Sequence, residues 1–156
     1  MKFSLFTIAM LVMCALCFGS QPRPRENDLF KMEVAGFVVN RSASGPQLKY
    51  IFGFATKKPA QITHVKVEDI TEKQPIVLVD DKEPKIEKNR WSGHSAITPV
   101  TSEKTPWMFD NRTTKMIFRV TVSTADSRDR ELVQPATYPA SSKKMMLQMA
   151  GKLKQS

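Results

Sequence analysis

After its opening nineteen residues the chain contains no cysteine. Its two, Cys14 and Cys17, both lie in the apolar opening. Disulfides are therefore excluded as the staple of residues 20–156, and so are thiolate zinc sites. Met13 and Leu16 precede the two thiols, where a lipid-modified cysteine needs a small residue, so lipidation is not expected. Histidine is also scarce, with only His64 and His94 present. Zinc sites take three or four ligands, so these two need a carboxylate such as Glu68, four residues beyond His64. Scattered surface histidines are the simpler expectation.

The opening itself reads as a leader. Met1-Lys2 supplies charge, residues 3–18 are apolar except for Ser4 and Thr7, and Gly19-Ser20 follow. That is the pattern of a secretory signal peptide cut after Gly19. The run is shorter than the roughly 20 residues that span a bilayer. Export without disulfides fits a bacterial periplasm better than an extracellular space. Two glycosylation sequons, Asn40-Arg41-Ser42 and Asn111-Arg112-Thr113, are near chance in a chain this rich in serine and threonine.

Formal charge is +9, and losing Lys2 with the leader leaves +8. Such a balance suits an acidic protein, an anionic lipid surface or a wall polymer. Nucleic acid does not fit the compartment. The basic residues are interleaved with acids, as on a solvated mixed surface.

Residues 20–28 are proline-rich and polar and read as a flexible mature N-terminus. Strand signals then dominate. At 115–124, Met116, Phe118, Val120 and Val122 alternate strictly with Ile117, Arg119, Thr121 and Ser123, as in a half-buried β-strand. Leu48, Tyr50, Phe52 and Phe54 do the same, and 62–70 places Val65 and Val67 inward. Residues 29–40 are apolar on both parities in their second half. With 48–54 across a Gly45-Pro46 turn they predict an antiparallel hairpin. Residues 76–79, Ile-Val-Leu-Val, form a continuous apolar run, and 80–89 a charged loop or edge. Residues 90–100 read as irregular, with Trp91 as anchor. Residues 130–134 read as a short last strand and 134–139 as an extended, proline-bounded piece. Residues 141–154 change period: Met145, Met146, Met149 and Leu153 fit one short helix, with Gly151 ending its regular part.

Six or seven short strands with frequent turns predict an all-β fold: one antiparallel β-sandwich of immunoglobulin-like architecture over 29–140, with a short C-terminal helix at 141–156. The boundaries are 1–19 leader, 20–28 tail, 29–140 domain and 141–156 helix and tail.

No strong catalytic motif is present. Gly93-His94-Ser95 lacks the second glycine of a nucleophile elbow, since Ile97 stands there. Asp80 and Asp81 are adjacent, so on a strand they point to opposite faces. A hydrolase needs carboxylates converging from separate elements. Met145, Met146 and Met149 suit copper(I) as soft ligands, or core packing. With no cofactor or metal implied, the leading expectation is a non-enzymatic, exported protein-binding module, such as an immunity or inhibitor protein against an envelope-acting toxin. The alternative is an envelope protein that binds anionic lipid or wall polymer through a basic C-terminal helix. The candidate partner-binding residues are loop aromatics and basic helix positions: Trp91, His94, Trp107, Met108, Phe109, Lys143 and Lys144.

Overall fold

The computed structural model describes residues 25–152. The leader at 1–19 and the tail residues Leu153 and Lys154 lie outside them. Strands β1 (Phe30–Ser42), β2 (Gly45–Thr56), β5 (Arg90–His94) and β6 (Thr98–Pro99) form sheet A. Strands β3 (Ile62–Asp69), β4 (Ile76–Asp81), β7 (Thr114–Thr124) and β8 (Asp129–Tyr138) form sheet B, in the order β4-β3-β7-β8. Helix α1 (Pro106–Phe109) precedes β7, and α2 (Ala140–Lys152) follows β8. The fold is the expected antiparallel β-sandwich with one C-terminal helix.

The alternating rows meet inside. Phe118 of sheet B packs edge-on against Phe52 of sheet A, ring centroids 5.1 Å apart. Met116, Phe118, Val120 and Val122 are all buried. Aromatic pairs in this geometry add to plain area burial. A bulge moves the inward row of β1 from one parity to the other, and Val38, buried on the outward parity opposite Lys49, keeps the second half apolar on both faces. Pairing with β2 slips between Met32 and Val34, so Phe30 and Met32 face inward before the bulge and Ala35, Phe37 and Val39 after it.

Three stretches differ from the sequence reading. Residues 90–94 are a strand, not irregular. Trp91 faces inward opposite Phe54, and the next inward position is Gly93. A Cβ on Gly93 would stand 2.4 Å from Trp91 Cζ2. The indole fills two places of the inward row, which hides the alternation. Strand β5 is entered through a turn with Lys88 and Asn89 at positive φ and mutual Glu87–Arg90 backbone bonds of 2.9 Å. Second, β8 runs unbroken from Asp129 to Tyr138 through Pro135. An edge strand tolerates proline because one side of its ladder is unused. Third, the helix continues through Gly151 to Lys152.

Residues 25–28, within the segment read as a flexible tail, close one side of the sandwich. Met32 N–H donates to the Arg25 carbonyl at 3.1 Å on the β1 side. Arg25 N–H donates to Gln134 Oε1 and Asn27 Nδ2 to the Glu131 carbonyl on the β8 side. Arg130 adds an ion pair to Asp28 at 2.9 Å.

Candidate functional site

Of the seven expected partner-binding residues, three belong to the interior. Trp91 is buried, stacks on Phe54 at 5.2 Å and donates its indole N–H to Asp81 Oδ2 at 2.9 Å. It closes the sandwich where β5 meets β4. Met108 is buried under α1. Lys143 is only 1% exposed. Its ammonium donates to the Trp107 carbonyl at 2.6 Å and to Thr114 Oγ1 at 2.7 Å. Burial pushes its pKa down, against the attraction of Asp110. Lys143 thus pins α2 to the 105–114 segment and offers a partner nothing.

Trp107 is half-buried, edge-on to Phe37 at 5.1 Å. The exposed members are His94, Phe109 and Lys144. His94 stands opposite Ile51 on the outer face of sheet A, while Phe109 and Lys144 belong to the two helices. The inward face of α2 is Lys143, Met146 and Ala150. Of the three methionines Met146 belongs to that face and Met145 and Met149 are half-buried, and Lys144 is the exposed lysine among the described side chains of the helix. Among the described residues no helix is long and apolar enough to cross a membrane.

The other candidate chemistry is dispersed or already committed. His64 lies on the outer face of sheet B and His94 on that of sheet A. Among the described residues no group of three potential ligands forms. Ser95 is buried; its hydroxyl accepts from Tyr50 N–H at 2.9 Å and donates to the Ala96 carbonyl at 2.7 Å. It is a staple at the end of β5. Asp80 and Asp81 do point to opposite faces, Asp80 toward His64 and Asp81 toward Trp91.

What the outer face of sheet B does assemble is a mixed row. In register, Val77 of β4 faces Glu68 of β3, Glu68 faces Arg119 of β7, and Arg119 faces Val133 of β8. Ile117 and Pro135 form the next pair along. No protein-family model matches the chain, and no curated protein is significantly similar to it. The geometry is therefore the guide to what this face does.

At its centre Glu68 is 7% exposed although it points out of the sandwich. Its Oε1 meets Lys66 Nζ at 2.7 Å, and its Oε2 accepts from Arg119 Nε at 3.0 Å and Nη2 at 2.8 Å. The Lys66 hydrogen bond first, then Arg119, holds its carboxyl below the usual range despite desolvation. Beside it, His64 Nε2 and Asp80 Oδ1 are 2.6 Å apart. That contact, helped by Lys82 and Lys66, lowers the Asp80 pKa.

Around these charges stand the exposed aliphatics. Val77 of β4 is 51% exposed, and Ile117 and Val133 stand out of β7 and β8 on the same face, while Ile76, opposite Asp69, is 58% exposed on the other parity at the start of β4. The sequence holds one signal for this set. Ile117 and Val133 are aliphatic on parities otherwise filled by Lys115, Arg119, Glu131 and Asp129. A single exposed aliphatic is ordinary, but a group on one sheet marks a contact surface.

Proposed function

We propose that this chain is an exported, non-enzymatic binding protein that holds another protein, in the manner of an immunity or inhibitor protein neutralising a toxin of the cell envelope. The observation that carries the reading is the uncovered aliphatic set on the outer face of sheet B: Val77, Ile117 and Val133. Covering a half-exposed Val or Ile returns about 1 kcal/mol each, so a partner gains from this face what the isolated chain leaves unused. The Lys66–Glu68–Arg119 cluster adds two cations on one carboxylate at its middle, a fixed polar landmark that selects among apolar partners.

The leader-like opening and the cysteine-free remainder support export to a periplasm, and the cluster of apolar and charged groups on a sheet face supports a protein rather than a small-molecule ligand. Capture with the tagged full chain from a periplasmic extract tests the reading. One protein recovered in stoichiometric amount, whose toxicity the chain suppresses in cells, is the expected result. Recovery of no specific protein contradicts it.

A further inference from the structure

The lateral strands of the two sheets are not equally protected, and one of them, β6, is only two residues long. The β1 and β8 edges are stitched by residues 25–28, and β8 carries Pro135. Strand β5 is five residues long. Strand β4 pairs with β3 on one side and carries the two most exposed aliphatics of sheet B. Its first four residues, Ile76 to Val79, have no charge to discourage another strand.

A second copy of this chain is a poor occupant. Val77 and Asp80 share the outer face, opposite Glu68 and Lys66, while Val79 and Asp81 face inward opposite Val67 and Val65. Leu78 is the extra residue of a bulge between them. Two β4 strands paired antiparallel with faces matched over most of their length oppose Val77 to Asp80 and Ile76 to Asp81. Centring the pair on Asp80 opposes like charges, which is unfavourable. A foreign strand escapes both problems. Asp80 has a half-exposed carboxylate: Oδ1 meets His64 at 2.6 Å, and among the described residues Oδ2 meets the exposed Lys82 at 3.8 Å.

We propose that β4 is a docking strand: an extended segment of the partner protein adds to its free edge, with an aliphatic side chain beside Val77 and a lysine or arginine beside Asp80. Backbone bonds then supply affinity and the two side-chain positions supply selectivity. The inference rests on the protein-binding reading and names the contact that reading uses.

The test uses three synthetic peptides on the full chain at neutral pH: a threonine strand carrying one valine and one lysine two residues apart so that both stand on one face, the same with glutamate for lysine, and the first with alternate amides N-methylated. Hydrogen exchange is read residue by residue. The valine–lysine peptide is expected to slow exchange in residues 76–81. The other two are expected to bind about tenfold less well, a difference of roughly 1.4 kcal/mol. Asp80→Asn is expected to weaken the first peptide about two- to fivefold, the range of one cross-strand pair. Absence of binding by the first peptide, protection on another edge, or equal binding of the glutamate peptide overturns the proposal. So does a dimer formed through β4 without peptide. In the capture experiment, a Val77→Lys chain that still retains the partner overturns the docking strand alone, whereas a wild-type chain that captures nothing overturns the binding reading.

Discussion

The indole of Trp91 lies over Gly93, two residues along the same strand, with Cζ2 2.4 Å from where a Cβ on Gly93 would stand. The ring is also fixed by Phe54 beneath and by Asp81 at its N–H. It has nowhere to retreat. Gly93→Ala is therefore expected to cost about 1–3 kcal/mol, the range for overpacking a filled interior. Urea unfolding followed by tryptophan fluorescence measures it. An unchanged midpoint contradicts this packing.

Glu68 contributes stability while ionised. Its folded pKa lies below the usual 4.5, so the contribution is present above that value and lost as pH falls through the folded one. Glu68→Gln is expected to lower stability at neutral pH by about 1–2 kcal/mol and to flatten the acid limb of the stability profile. Asp80 and its His64 contact act in the same direction, so Glu68→Gln reduces the acid dependence without abolishing it.

Lys143 gives a slope of the same sign in the alkaline range, for a different reason: its charged form is the one that burial disfavours. Desolvation lowers its folded pKa from 10.5, so the unfolded chain binds more protons in the window between the two values. Its contribution to stability therefore rises as pH rises through that window. Tyr50, whose hydroxyl is pushed up by burial and by Asp69, opposes this above pH 10. Subtracting the profile of Lys143→Met from the wild type isolates the lysine. The difference is expected to climb toward alkaline pH; a flat difference contradicts the burial of the ammonium.

The helix is expected to behave as core. Met146→Ala should cost about 2–4 kcal/mol, as for other buried methionines cut to alanine. Lys144 is exposed on the same helix, so Lys144→Ala should stay within about 0.5 kcal/mol of wild type. Thermal unfolding of both variants checks the contrast.

The legible parts of this fold are those where one residue fills one position. Strands β2, β3 and β7 show their inward rows directly, as Leu48 to Phe54, Val65 with Val67, and Met116 to Val122. Strand β1 shows both parities because a bulge near its start switches the inward row and Val38 stands buried on the outward parity beyond it. Strand β5 hides its row because Trp91 occupies the place of Gly93. The site is less legible for a topological reason. Ile76 to Val79 is apolar on successive positions, as a central strand is, and nothing local says that β4 stands at an edge. Trp91 and Lys143 look like surface anchors in sequence because their burial depends on Asp81, Trp107 and Thr114, each far along the chain or on another element.

The exposed aliphatics of sheet B should matter to association and not to folding. Val77→Lys and Ile117→Lys are each expected to leave the unfolding midpoint within about 0.5 kcal/mol of wild type, because neither side chain fills the interior. A large loss in either shows that the position supports the fold.

The most direct measurement places a photocrosslinking residue at position 77 and, for comparison, at position 109, in cells that make the full chain. The account predicts a single covalent adduct with another protein from position 77 and none from position 109. Adducts formed only between copies of this chain, or only from position 109, contradict it.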